Sequence, residues 1–520
     1  MDRSRALTLA RPAEEKISVG ERPVAVLDVG SNTARLVLYL ASAEGSLKAS
    51  LERKEAPRLG HDVDAEGNLH PEAAARGLAA LKRFAVTLRS LGNPRTLAVA
   101  TSAVRDAPNG PDFVARAARE TGITLRVISG VDEARYAYLG VASTRALDDD
   151  IVFDLGGGSL QLAEVRKGHL QNSVSLPLGV LRLTERFLEH DPPKGREIEA
   201  LEEHVRAQIG AALEAFGRKS YGLNGVGGTV RSLARVAVDL RDYPIPRVHG
   251  YPFRDHDLEA LSELLMDLPV AKRKLVPGIG GDRADVVVAG LVVLKELLRS
   301  AGAEQITVSG AGIREGIALE AVGAKLPAPA QELAHRSFAS AAELLSFGVA
   351  EGEAIERVSG SLFELFRERE KWGDEERLAL KVASWMHGSG ASVDLWRHAR
   401  HSSYLIRNLP IWGLEHRGTL LASMTAYVHE GDEPRSAWRK EFLPIVRPSD
   451  LEVAKRLGVL LFSAETLYRA EPRFSLGGDG QVLSVSFGAS VEASLSPRSL
   501  EKVRKPLERE LGVEVKLRDS

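Results

Sequence analysis

The sequence predicts an α/β protein of several domains, and three observations carry that reading. An apolar run ending in Asp, a hydrophobic residue, Gly and a string of small residues occurs twice, at Asp28 and again at Asp154. Apolar runs of strand length alternate with helical spacing throughout residues 24–325, the pattern of a largely parallel sheet covered by helices. Beyond residue 326 the strand patterns stop and helical spacing takes over. At about 150 residues per domain, a chain of this length should hold three or four domains.

Composition sets the outer limits. Hydrophobic residues make up 44% of the 520 and charged residues 27%, ordinary for a globular protein. The 69 basic and 71 acidic side chains leave a formal charge of −2, which argues against a nucleic-acid binder with a basic footprint. An anionic ligand in a local pocket remains compatible. Cysteine is absent, which excludes disulfides, thiolate metal sites, a cysteine nucleophile and iron–sulfur clusters. No charge-free apolar run approaches the roughly 18 residues a membrane helix needs. The opening stretch MDRSRALTLARPAEEK has no apolar core of signal-peptide length. The expectation is a cytoplasmic enzyme or regulator with neither a membrane nor a nucleic-acid partner.

Taken in order, residues 1–22 read as a polar arm. Val24 to Leu27 and Leu36 to Leu40 read as strands around the turn Asp28-Val29-Gly30-Ser31-Asn32-Thr33, a hairpin with an acid and a glycine at its tip. Residues 71–91 read as a helix with Leu78, Leu81, Phe84, Ala85 and Leu88 on one side. Leu97 to Ala100 reads as a strand, 111–121 as a helix, Leu125 to Ile128 as a strand and Glu133 to Val141 as a helix. The opening pattern then returns as Ile151-Val152-Phe153-Asp154-Leu155-Gly156-Gly157-Gly158-Ser159, with Leu160 to Val165 as its second strand. A repeat of this kind implies two related halves. Ile306 to Val308 runs into the glycine turn Ser309-Gly310-Ala311-Gly312 and a helix. Ile355, Val358, Leu362, Leu365 and Phe366 mark an all-helical third unit. Val482 to Val491, a helix over Pro497 to Leu511 capped by Gly512, and Val513 to Leu517 then make a small α+β unit. The expected boundaries are 23–146, 147–326, 327–445 and 446–520.

The two Asp-Gly hairpins carry the chemistry. Glycines let the backbone approach a ligand and aim several N–H groups into one concavity that suits phosphate. A carboxylate beside it can hold magnesium, directly or through water. One such turn is commonplace; two matched copies point to a cleft with phosphate between the halves. Gly227-Gly228-Thr229 opens a further helix and serves either an anion or close packing. Ser309 to Gly316 offers the same choice, with Arg314 and Glu315 equally readable as surface charges. Arg105, just past a strand end, suits phosphate, although spacing alone favours a surface salt bridge. Asp132 and Glu133 either complement a helix dipole or turn one carboxylate into the cleft to take a proton from water.

AVLDVGSNTARLVLY, ATSAVR, SGVDEARYAYLGV, VFDLGGGSLQLAEV, GVGGT, PGIGGDRADV and VSGAGIREG occur in that order. Together they resemble the exopolyphosphatase / guanosine pentaphosphate phosphohydrolase family over about residues 24–325. The resemblance implies two actin-like, RNase H-like domains of the ASKHA superfamily, then an all-helical HD-like domain and a small C-terminal α+β domain. It implies Glu133 as the general base, Asp154 as the magnesium-associated aspartate and Asp28 as its counterpart in the first half. Asp132, where the family commonly has Glu, joins them as a metal candidate. Ser31, Asn32, Arg105, Gly157, Gly158 and Ser159 match phosphate-binding positions. The turn reading adds Gly30, Thr33, Gly156, Gly227, Gly228 and Thr229.

The expected cofactor is Mg²⁺, with K⁺ as a stimulating ion, and the expected assembly is a homodimer. The leading substrate is inorganic polyphosphate; guanosine pentaphosphate (pppGpp) is the alternative, and a non-catalytic sensor ranks third. The DEAR segment argues against a kinase. In the HD-like region Gly388 follows His387 where an HD site needs Asp, so a relic scaffold is favoured there over a metal site; His398, His401 and His429 remain. Lys272, Arg273, Lys274, Arg397, Arg400 and Arg407 are candidates for a basic track along a polyanion.

Overall fold

Two sheets with a shared strand order form the first part of the computed structural model, which describes residues 22–41, 46–61, 63, 66–217, 220–345, 347–431, 436–470, 474–478, 481–487 and 497–519. The first sheet comprises β1 (Arg22–Val29), β2 (Ala34–Ala41), β3 (Leu47–Glu55), β4 (Arg95–Ala100) and β5 (Arg126–Val127), in the order β3-β2-β1-β4-β5. The second comprises β6 (Asp150–Leu155), β7 (Leu160–Arg166), β8 (His169–Leu176), β9 (Gly222–Val226), β10 (Pro252–Arg254) and β11 (Gln305–Val308), in the order β10-β11-β9-β6-β7-β8. In each, an antiparallel three-strand meander is followed by parallel strands, and the second sheet adds the antiparallel edge strand β10.

The sequence repeat is a repeat of register. Asp28 lies opposite Arg35 in the first hairpin, and Asp154 opposite Gln161 in the second. Gly30 N donates to Thr33 O at 3.0 Å, and Gly156 N donates to Ser159 O at 3.0 Å. The polar edge strands β3 and β8 have no counterpart in the sequence reading.

Helix Pro71–Ser90 buries the predicted face, Leu78, Leu81, Phe84, Ala85 and Leu88, against the first sheet. Helices Gly195–Phe216 and Val287–Ser300 cover the second. Helix Gly130–Ala142 serves both: Tyr136 packs with Val24, Val26 and Val99, while Ala134, Ala137 and Val141 pack with Val152, Ala163 and Val165. Helix Ile313–Ala321 follows β11, yet its Ile317 and Ala318 pack with Val24, Val26, Val37 and Tyr39. The boundary expected at 326 groups this helix with the second unit; its apolar face belongs to the first sheet. It crosses helix Gly130–Ala142 at glycines, where a Cβ on Gly140 would stand 2.2 Å from Gly312 O and one on Gly316 2.0 Å from Tyr136 O.

The C-terminal part is a helical bundle with one core, built from Ala330–Leu345, Val349–Glu370, Asp374–Met386, His398–Asn408, His416–Val428 and Asp450–Ala470. Leu457, Leu460, Leu461 and Ala464 of the last helix enter that core, so the bundle continues past residue 445, where the sequence reading ended it. A three-stranded sheet follows, from β12 (Phe474–Gly478), β13 (Val482–Phe487) and β14 (Glu514–Asp519), with helix Pro497–Leu511. Leu483, Val503, Leu507 and Leu511 join the core of the bundle. Gly512 caps the helix with a left-handed φ of 60° and donates to Glu508 O. Residues 1–21 of the expected arm and 488–491 of the expected strand lie outside the described residues. Among the described residues no helix is long and apolar enough to cross a membrane.

Candidate active site

The tips of both Asp-Gly hairpins meet in one cleft between the sheets, lined by Asp28, Gly30 to Thr33, Glu133, Asp154, Gly156, Gly157, Ser159 and Gly227 to Thr229. The tips touch directly. Ser31 Oγ lies 2.9 Å from Ser102 Oγ, and a Cβ on Gly158 would stand 2.5 Å from that Ser102 oxygen. Gly158 itself packs behind the lining. The third turn closes the cleft floor. Gly227 has φ 120°, and a Cβ there would stand 2.5 Å from Leu155 O, so only glycine suits the position. Helix Gly228–Leu240 therefore begins at the cleft and aims free N–H groups into it.

Glu133 sits in the first turn of helix Gly130–Ala142 and is 4% exposed. Arg105 pairs with it and also donates to Ile128 O at 3.2 Å. Arg105 thus holds the candidate base and does not itself line the cleft. Burial pushes Glu133 up to about 7, against the Arg105 guanidinium and with help from the charges of Asp154 and Asp28. Burial also pushes Asp154 up to about 6; Arg231 opposes the shift and Asp28 adds to it. Asp28 is raised by burial against the pull of Arg314, whose Nη1 lies 3.2 Å from its Oδ2.

The donor set fits magnesium. Among the described residues no side-chain hydrogen bond or salt bridge reaches the Asp154 carboxylate, and its charge is disfavoured by burial and by Asp28. A hard cation beside it relieves both. Mg²⁺ binds through one or two carboxylates and completes its shell with water and phosphate oxygens, all of which this cleft can admit. Asp132 does not belong to this set. Its side chain is 43% exposed, accepts from Ser129 Oγ at 2.8 Å, and its N–H donates back to Ser129 Oγ at 3.0 Å. Ser129 caps the helix N-terminus, and Asp132, three residues on in its first turn, hydrogen-bonds that cap and not the cleft.

Four arginines join the cleft that the sequence reading did not assign to it: Arg35, Arg231, Arg283 and Arg314. Arg314 and Glu315 are not surface charges. Arg314 holds Asp28, while Glu315 accepts from Gly312 N at 2.7 Å and from the Tyr39 hydroxyl. Arg231 has no salt bridge among the described residues; burial and the like charges of Arg314 and Arg35 bring it down to about 10. Each of these arginines sits at a position whose local pattern reads as solvent-facing, so spacing gave no signal for them.

Of the basic-track candidates, Arg273 is buried and donates to Leu265 O at 3.0 Å, so it is a packing residue. Arg407 lies 3.5 Å from Glu441. Lys272, Lys274, Arg397 and Arg400 are exposed. His387, His398 and His429 come together inside the helical bundle, and none lines the cleft.

Residues 40–325 match the profile described as the Ppx/GppA phosphatase family, and residues 334–490 match Ppx/GppA phosphatase, domain III. Exopolyphosphatase 1 of Mycobacterium tuberculosis is 32% identical over 304 residues, spanning 56% of this chain and 86% of that protein. Exopolyphosphatase 2 of the same species is 33% identical over 315 residues, spanning 58% and 98%. A crystal structure of an exopolyphosphatase from Cytophaga hutchinsonii superposes with a TM-score of 0.54 at 26% identity, covering 58% of this chain and 99% of that one. The Aquifex aeolicus Ppx/GppA family member gives 0.51 at 29%, covering 58% and 98%.

Proposed function

The chain belongs to the Ppx/GppA phosphatase family and is a phosphoanhydride hydrolase, and we propose that it is an exopolyphosphatase releasing orthophosphate from the end of inorganic polyphosphate. The observation that carries the substrate reading is the cleft lining. It holds Arg35, Arg231, Arg283 and Arg314 together with the three glycine turns, and among the described residues that line it none is an aromatic on which a guanine could stack. Successive phosphates satisfy such a lining; a nucleoside would not.

Water is the nucleophile and Glu133 the base. A carboxylate held near 7 is matched to accepting a proton at neutral pH. The ion pair with Arg105 fixes where that carboxylate points. The N–H groups of the Gly30, Gly156 and Gly227 turns, with the cleft arginines, receive the charge that spreads over the transferred phosphoryl oxygens. Phosphoryl transfer needs little more than such positioning and electrostatic stabilisation, so no covalent intermediate is required. Asp154, with Asp28 beside it, would hold magnesium, which supplies charge neutralisation on the phosphates when bound. We also read the two sheets as actin-like halves of the ASKHA superfamily, the bundle as HD-like, and the assembly as a homodimer.

Phosphate release with Mg²⁺, compared between long-chain polyphosphate and guanosine pentaphosphate at matched terminal-phosphate concentration, tests the proposal. The expected result is a much higher kcat/KM for polyphosphate, lost in Glu133→Gln. A higher value for the nucleotide would keep the hydrolase and change its substrate.

A further inference from the structure

Between helices Asp374–Met386 and His398–Asn408 the chain makes two short 3-10 turns, Ser389–Ser392 and Leu395–Arg397. The first is anchored to the helix that follows. Gly390 N donates to Ser402 Oγ at 2.9 Å, and a Cβ on Gly390 would stand 2.2 Å from His398 O. Val393 N and Asp394 N both donate to Gly390 O, at 2.9 and 3.0 Å. The second turn is capped, because Asp394 Oδ1 accepts from Trp396 N at 2.9 Å. Hydrogen bonds therefore hold this tip in one shape.

What the tip presents to solvent is apolar. Val393, Leu395 and Trp396 are 61%, 66% and 90% exposed, whereas every other tryptophan of the chain is buried or half-buried. Large apolar side chains gathered at one exposed place mark a surface built to be covered. Basic side chains stand beside them. Arg397 and Arg400 are exposed and make no salt bridge among the described residues. From Val393 to Asn408 the only acid is Asp394, and its carboxylate is engaged in the cap. His398 and Arg407 of the same stretch already face Glu430 and Glu441.

We propose that the tip formed by Val393, Leu395 and Trp396 docks the protein on an anionic lipid surface, with Arg397 and Arg400 meeting the lipid phosphates. The apolar side chains would enter the headgroup region of the bilayer. Two arguments favour lipid over a protein partner. A side chain that is 90% exposed projects from the surface, and a fluid layer closes around such a projection, where a folded partner needs a pocket of matching depth. Tryptophan also suits the boundary itself, since its ring is apolar and its N–H is polar. A second copy seated on the tip about a two-fold axis would bring Arg397 and Arg400 toward their own counterparts. The attachment is peripheral: among the described residues no helix is long and apolar enough to cross a membrane. Apolar insertion and charge then act together, as stable anchoring requires two signals.

The test sediments the full-length protein with vesicles of phosphatidylcholine alone, or of phosphatidylcholine and phosphatidylglycerol in equal parts. Binding to the mixed vesicles only, reversed by high salt, is expected. Tryptophan emission should shift to the blue on mixed vesicles, and brominated phosphatidylcholine in them should quench it. The double variant Leu395→Ser/Trp396→Ser should lose binding, shift and quenching. It should keep the wild-type Tm and rate of phosphate release, because neither residue lines the cleft. Arg397→Gln/Arg400→Gln should weaken vesicle binding roughly 30-fold. No binding to mixed vesicles, equal binding to both kinds, or binding that survives Leu395→Ser/Trp396→Ser would overturn the proposal. If that variant loses self-association and still binds vesicles, the tip belongs to a second copy and the proposal falls. If it fails to fold, the wild type decides alone, and emission left unquenched by brominated lipid overturns the proposal.

Discussion

Arg314 donates to Asp28 across the cleft at 3.2 Å, and among the described residues no such partner reaches Asp154. The two aspartates hold the same register position in two sheets of the same order, one opposite Arg35 and the other opposite Gln161. They share one backbone geometry, and their neighbours give them different charge environments. On the proposed function, Asp154 is the carboxylate that would take the cation.

Asp154→Asn is therefore expected to lower phosphate release by roughly 10²–10³-fold, with excess Mg²⁺ failing to restore it. Asp28→Asn should be milder and should raise the Mg²⁺ concentration needed for half-maximal rate. Chelation of the wild type should abolish release, and Mg²⁺ should return it. Rate against Mg²⁺ concentration for the three proteins is the measurement.

Glu133→Gln keeps the shape of the base and removes its ability to accept a proton. The expected loss in kcat is about 10²–10⁴-fold, with polyphosphate binding unchanged. Equal turnover by the variant would place the base elsewhere.

The pH profile follows from the same residue. Glu133 must be ionised to act, so kcat/KM should rise with pH through about 7. Arg105 pulls that value down, so Arg105→Met should move the rising limb to higher pH. The stability sign is opposite to that of an ordinary salt-bridged carboxylate. The folded value lies above the unfolded value near 4.5, so the folded state holds the proton longer and stability falls as pH rises between 4.5 and about 7. Glu133→Gln should remove that decline, which thermal melts across the interval would show.

Arg231 places a half-buried positive charge in the cleft that makes no salt bridge among the described residues and feels Glu315 and Asp154 only at longer range. On the proposed function, substrate phosphate would pair with it. Arg231→Met should weaken polyphosphate binding by about 1.5–3 kcal/mol, the worth of a hydrogen bond to a charged group. It should also flatten the dependence of KM on salt. Direct binding at several ionic strengths would show both effects.

Gly227→Ala adds a methyl group 2.5 Å from Leu155 O at a φ that side chains avoid. A loss of about 1–3 kcal/mol in stability is expected, with reduced turnover because the turn that starts helix Gly228–Leu240 must shift. Denaturant unfolding alongside a rate assay separates the two effects.

The hairpin tips were legible because a strand that ends in Asp and a run of small residues has few other uses, and this one occurs twice. Glu133 and Asp132 were not separable from their spacing alone. Adjacent helical positions point in different directions, and only the packing of helix Gly130–Ala142 between the sheets shows that Glu133 faces inward. Arg231, Arg283 and Arg314 escaped for the opposite reason: a charged residue near a helix start reads as solvent-facing until a second sheet is placed over it. The edge strands β3 and β8 were missed because Lys48, Glu52, Arg53 and Lys54, like Gln171 and Asn172, give no apolar alternation. The helical histidines were visible as residues, but Glu465, 3.6 Å from both His387 and His429, lies in a helix beyond the expected domain boundary at 445.

Helix Ile313–Ala321 has a consequence for how the protein can be divided. It covers Val24, Val26, Val37 and Tyr39, and it arrives only after the whole second sheet has been threaded. A fragment that stops at residue 146 contains every strand of the first sheet and helix Gly130–Ala142, and still leaves uncovered the part of that apolar face that Ile317 and Ala318 cover. The segment that completes this face begins at Ile313, far beyond the fragment's end at residue 146. The two sheets share a strand order, but the cover of the first is completed by a helix that follows the second in the chain.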